Sequence, residues 1–184
     1  MAAKSAAPEP LDVIRRFVNT YDLEDHTDRV GTPEELGAWL REEGLCSGKE
    51  KISADDVRHA GEVRGAIREL LLTHIGRPLD PAAPKKLDAA ARRAALGVRF
   101  HLDGGSAVEP EAKGVDGAMG QMLAVIAAAM ADGTWDRLKA CAADDCHWAF
   151  YDHTRNRSGR WCSMAVCGNR AKVERFRERA RGET

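Results

Sequence analysis

The feature that most constrains this chain is the placement of its cysteines: four of the five fall at Cys141, Cys146, Cys162 and Cys167, in the order C-x4-C-x15-C-x4-C. Two close pairs on either side of a long spacer either form disulfides or hold a tetrahedral metal. Disulfide frameworks belong to exported chains, and nothing in the first residues directs export, so a metal is favoured. Zn²⁺ takes four such ligands at about 2.3 Å, and four thiolates fill its sphere. The expected cofactor is therefore one structural Zn²⁺ per chain, with no position left for a reacting water. At 184 residues the chain can form one domain, or one medium domain plus a small module too short to build its own core, and the cysteine cluster favours the second.

Charge divides the chain at the same place. Residues 1–136 hold 17 Lys+Arg against 23 Asp+Glu, and residues 137–184 hold 11 against 6, a split of -6 and +5 beneath the net charge of -1. Four thiolates on Zn²⁺ add a net -2, which brings the basic part to about +3, too modest for strong nonspecific nucleic-acid binding. No apolar run reaches the roughly 18 residues that a membrane span needs. The opening "MAAKSAAPEP" has no apolar core and reads as a frayed lead-in, so the expected location is the cytoplasm, with no membrane partner.

Residues 1–136 read as a mainly helical domain with a small β element, to which the resemblance named below adds a regulatory, ligand-sensing or dimerisation role. Leu11, Ile14, Phe17 and Val18 are at helical spacing, and a polar loop, "EDHTDRVG", follows. Thr32 caps a second helix with Pro33 at its first position, and Ser53 with Asp56 opens a longer third helix that runs to about Ile75. "KKLDAAARRAAL" forms a fourth. "VRFHLDGGSAVEP" reads as a hairpin around Asp-Gly-Gly. Met119, Met122, Leu123, Ile126 and Met130 mark the core stripe of a further helix.

Residues 137–184 form the cysteine module. "HWAFYD" and "GRWCS" are expected to pair as a hairpin around the polar turn "HTRNRS", with Trp148, Phe150, Tyr151 and Trp161 supplying its apolar mass. A helix runs from Gly168 to about Arg181, and its Val173, Phe176 and Ala180 face is expected to pack on that hairpin. The fold class is thus mainly α with a small β-hairpin (α+β), a helical N-terminal domain followed by a treble-clef-like four-cysteine zinc finger. Residues 141–179 closely resemble the CGNR zinc finger, which takes its name from a last cysteine followed by Gly-Asn-Arg, here Cys167, Gly168, Asn169 and Arg170. Upstream, "FVNTYD" and "TPEELGAWL" are similar to the N-terminal domain that accompanies this finger in a mostly bacterial family known as putative stress-induced transcriptional regulators. The resemblance implies zinc binding, DNA binding and a role in stress-responsive transcription.

Two classes of function remain open at this point. In one, the chain is a DNA-binding regulator, dimeric or effector-controlled, whose Arg155, Arg157, Arg160, Arg170, Lys172, Arg175 and Arg177 contact nucleic acid. In the other, the finger is a zinc-stabilised protein-interaction lid, or the chain binds a small ligand without DNA, with Asn19 and Thr20 facing the pocket. No catalytic residue is expected: His147 and His153 stand beside a metal whose shell is already full. The acids and His26 in "VNTYDLEDHTD" match no general-base spacing. The fifth cysteine, Cys46, reads as an ordinary partly buried thiol.

Overall fold

The computed structural model describes residues 6–48 and 50–182; the first half of the lead-in lies outside them. Among the described residues six α-helices carry the fold: α1 (Asp12–Val18), α2 (Pro33–Glu42), α3 (Ala54–Thr73), α4 (Ala82–Arg93), α5 (Gly114–Asp132) and α6 (Asn169–Gly182). Three antiparallel two-stranded pairs are inserted between them: β1 (Tyr21–Asp22) with β2 (Thr27–Asp28), β3 (Leu96–Phe100) with β4 (Ser106–Pro110), and β5 (Leu138–Ala140) with β6 (Ala149–Tyr151). Helices α2 and α3 start where their caps dictate. Thr32 and Glu35, then Ser53 and Asp56, form reciprocal capping boxes that satisfy N–H groups the first turn leaves without partners.

The core forms between α1, α2, α3 and α5. Ile14, Phe17, Leu36, Leu40, Ile67, Leu71, Met119 and Met122 are fully buried, whereas Met130, at the end of the expected methionine stripe, faces outward. Phe17 and Trp39 bring their rings to 5.3 Å. Gly120 lets α5 come against the end of α4 and the base of the β3–β4 hairpin; a Cβ there would stand 2.6 Å from that of Ala94 and 2.8 Å from that of Pro110. Contrary to the sequence reading, α5 is long and apolar enough to cross a membrane by length and composition, yet half of that segment is buried inside the protein.

Three local expectations change. The polar loop after α1 is the tight β1–β2 pair, closed by hydrogen bonds from Glu24 N and Val30 N to the Asp22 and Asp28 carboxylates. Strand β6 pairs with β5, which precedes the first cysteine, and not with "GRWCS": Leu138 faces Tyr151, and Ala140 faces Ala149. Leu138, Ala140, Ala149 and Tyr151 thereby join the same hydrophobic cluster as Phe17 and Leu71. Finally, α6 packs on neither: it buries no residue, and Val173 and Phe176 are exposed. A fourteen-residue helix dominated by charge has too little apolar surface to be drawn inward by three side chains alone.

Candidate metal centre

The β5–β6 pair builds the first half of the site. Strand β5 leads into buried Cys141, whose N–H donates to Trp148 O at 3.0 Å. The loop between them turns tightly, with Cys146 N and His147 N both donating to Ala143 O. His147 adopts a left-handed backbone at φ 46° to return the chain into β6. The second half hangs from Ala142 N, which donates to Arg160 O at 2.8 Å and leads the chain to Cys162. A π-helical turn, Met164–Gly168, then presents Cys167 at the entrance to α6, where Gly168 N donates to Ser163 O.

All four Sγ atoms lie within 4.8 Å of one another. Cys146 and Cys162 are 3.6 Å apart, and Cys162 and Cys167 are 3.7 Å apart. A tetrahedron with metal–sulfur bonds of about 2.3 Å needs sulfurs about 3.8 Å apart, so the quartet is already near zinc geometry. Thiols this close compete for ionisation. Hydrogen bonds from Cys146 and then Cys162 push the Cys141 thiol far down, and the same contacts push Cys146 and Cys162 up. Ionisation of Cys141 thus disfavours ionisation of Cys146 and Cys162, and a divalent cation offsets that repulsion. The four cysteines hold one structural zinc.

Polar groups pin the surroundings. The Asp152 carboxylate, buried beside β6, accepts from Lys139 Nζ at 2.8 Å, Gly159 N at 2.7 Å, and Thr154 N and Oγ1 at 3.0 and 2.6 Å. Burial raises its pKa, but these donors outweigh burial and hold it well below the usual carboxylate range. Lys139 also donates to the carbonyls of Arg157 and Gly159. The polar turn of the finger is therefore tied to β5 through one buried ion pair. Gly159 is required there, since a Cβ would stand 2.8 Å from the Asp152 carboxyl carbon.

The finger is also bolted to the helical body. Asn19 Nδ2 donates to Ala149 O at 2.9 Å, and Ala149 N donates to Asn19 Oδ1 at 2.7 Å. Thr20 Oγ1 donates to Phe17 O and accepts from Arg64. Asn19 and Thr20 are therefore not at a ligand pocket: both are buried, with their polar atoms spent inside the protein. His74 Nδ1 sits 2.6 Å from Leu138 O, and Arg77 reaches both Ala142 O and the Asp144 carboxylate.

Two profiles from known protein families match this arrangement. That of the CGNR zinc finger covers residues 137–180. That of the ABATE family, described as "Putative stress-induced transcription regulator", covers residues 11–133, more than half of the chain. The chain belongs to the ABATE family. No curated protein matches it. Within this ABATE protein the expected nucleic-acid residues part ways. Arg170 Nη1 bonds Glu24 and Asp145, each at 2.9 Å, and its Nη2 approaches Cys167 Sγ at 3.5 Å. Arg160 Nη1 donates to Ile75 O at 3.0 Å. Both side chains are exposed but already engaged within the protein. Arg155, Lys172 and Arg177 are exposed and carry no ion pair among the described residues; Arg175 only donates to Ala171 O, one turn back along α6. Arg157 lies 3.8 Å from Asp136 on the exposed turn. Asn169 Nδ2 donates to Ala165 O and so braces the turn.

Lys139, Asp152, Arg64, Arg68 and His74 were not singled out from sequence. Lys139 and Asp152 had one legible signal: a single charge in each of two otherwise apolar stretches, "LKACA" and "AFYD". His74, Arg64 and Arg68 had none, because their partners come from distant segments. Arg68 donates to Val18 O and Tyr21 O, and Arg64 pairs with Asp28 at 2.6 Å.

Proposed function

We propose that this protein is a DNA-binding transcription regulator of the stress-response type in the cytoplasm, with residues 137–184 as its docking module and residues 1–136 as its regulatory or dimerising body. The observation that carries this reading is an exposed cationic surface on the zinc-binding finger. Arg155 and Arg157 stand on its exposed turn, and Lys172, Arg175 and Arg177 stand on α6, a helix that buries none of its residues. A helix that packs no residue on its own core can approach a duplex, and exposed guanidinium groups are suited to phosphate oxygens. Glu174 and Glu178 on α6 direct contact toward its basic flank. No catalysis is assigned, because a closed shell of four thiolates offers no open coordination position.

A second reading is favoured by Arg160 and Arg170. Both are spent on the helical body, as a zinc-stabilised interaction lid without DNA binding would spend them. Titration of fluorescent mixed-sequence duplex separates the two. The regulator reading expects binding that weakens steeply with salt, by a log-log slope near -0.9 per phosphate neutralised, and Arg155→Ala and Arg177→Ala should each flatten that slope by about one. Absence of binding at the lowest salt, with zinc loaded, would leave the lid reading.

A further inference from the structure

The β3–β4 hairpin stands out from the helical body with one apolar face bare. Val98 and Val108 sit directly opposite each other, and Phe100 lies two residues further along, so all three project to the same side. They are 60%, 38% and 84% exposed. The other side is polar and already paired: Arg99 holds Glu111 at 2.6 Å, and His101 lies 3.5 Å from Glu109. Only the base of the hairpin packs, through Leu96 and Pro110 against α5 at Gly120. A lone two-stranded hairpin is marginal in water, and an aromatic residue at its tip adds cost if left uncovered.

The open edges differ. His101 N donates to Gly105 O at 2.9 Å, which sets the alternation: Gly97, Arg99 and His101 turn their backbone groups toward β4, and Val98 and Phe100 turn theirs outward. On the other edge the outward positions are Ser106, Val108 and Pro110, and Pro110 has no N–H to give. Strand β3 is thus the edge able to extend the sheet.

We propose that the β3 edge pairs with the β3 edge of a second copy of this chain, antiparallel and two-fold about Val98, making a four-stranded sheet across a homodimer. In that register Val98 faces its own equivalent, and Phe100 faces Leu96 of the other copy, which continues into the hydrophobic core through α5. Arg99 faces Gly97, so no like charges meet and the Arg99–Glu111 pair is undisturbed. Self-complementarity of charge and side-chain size in one register is what an isologous contact requires, and it identifies the occupant as a second copy. The proposal stands on the hairpin alone and does not depend on DNA binding.

Sedimentation velocity on the zinc-loaded full chain tests it. The expected species has twice the 20.1 kDa mass of the chain. Val98→Pro removes an outward N–H without touching a bond to β4, and Phe100→Lys puts a charge on the apolar face. Each should shift the protein to 20.1 kDa with unchanged helical circular dichroism and zinc content. Phe100 is so exposed that its variant folds whatever the interface. A wild-type chain that stays monomeric at every concentration overturns the proposal, as does a dimer that survives both substitutions. A monomer that instead co-sediments with phosphatidylglycerol vesicles would assign the face to lipid and overturn the proposal equally.

Discussion

The helical body and the outer finger are held together by different forces. Between α1, α2, α3 and α5, large side chains are removed from water completely, and Phe17, Leu40, Ile67 and Met122 are typical. Beyond Cys162, only Cys167 and Gly168 are buried among the described residues, and α6 contributes nothing to the core. The strands β5 and β6 belong to the first regime although they carry two residues of the finger's frame, since Leu138 and Ala149 sit in the common cluster. The boundary that matters for stability therefore runs through the finger itself. On the inner side hydrophobic burial suffices; on the outer side metal ligation takes its place.

The largest effect expected from this contrast comes from the metal. Apparent binding energies of structural zinc in finger peptides are about 10–16 kcal/mol, far above what the outer segment gains from its own contacts. Cys162→Ser should abolish zinc content and open the segment from Cys162 onward to protease, while helical circular dichroism from the body persists. A metal-free tail that still resists protease would break the comparison.

Two aromatic substitutions sharpen it. Phe17→Ala, in the dry core, should cost about 3–5 kcal/mol in denaturant unfolding. Phe176→Ala, on a helix 70% exposed at that residue, should change stability by less than about 0.5 kcal/mol. Equal costs would show that α6 is packed after all.

The buried Lys139–Asp152 pair lies on the boundary. Lys139→Met leaves Asp152 without its cation, and loss of one partner of such a pair costs about 3–5 kcal/mol. The folded-state pKa of Asp152 is depressed, so its contribution is present above the ordinary carboxylate value near 3.9 and is lost as pH falls through the lowered one. Wild type should accordingly lose more stability than Lys139→Met between about pH 5 and pH 3, measured side by side so that acid loss of zinc is common to both. Parallel curves would argue that the pair contributes nothing.

A more moderate effect is expected at the joint. Asn19→Ala deprives buried Ala149 of both partners and should cost about 1–3 kcal/mol. Thermal unfolding of that variant should also begin to separate into two steps, since the finger loses one of its attachments. A single step at the wild-type temperature would show that the hydrophobic seam alone joins the parts.

Much of this was legible locally. Capping boxes at Thr32 and Ser53 act within four residues, so the starts of α2 and α3 could be read directly. The β3–β4 hairpin announced itself through Asp-Gly-Gly. The cysteine spacing points to a metal because ligand chemistry allows few alternatives. What escaped was nonlocal. Leu138–Ala140 is too short to show a strand period, and its partner β6 lies across the zinc knuckle, so aromatic "GRWCS" looked the better match. Asn19 read as facing a ligand pocket because its partner is 130 positions away.

By itself, then, the sequence determined the zinc ligands, the helical class and the separation of acidic and basic halves, all properties of residue type and short spacing. Only the tertiary structure decided which arginines are free and which are spent. Arg155 and Arg170 are chemically identical, and what distinguishes them is that Glu24 and Asp145 arrive beside one while the other has no ion-pair partner among the described residues. That depends on how β1, β2 and the zinc knuckle meet in space, which no local pattern encodes.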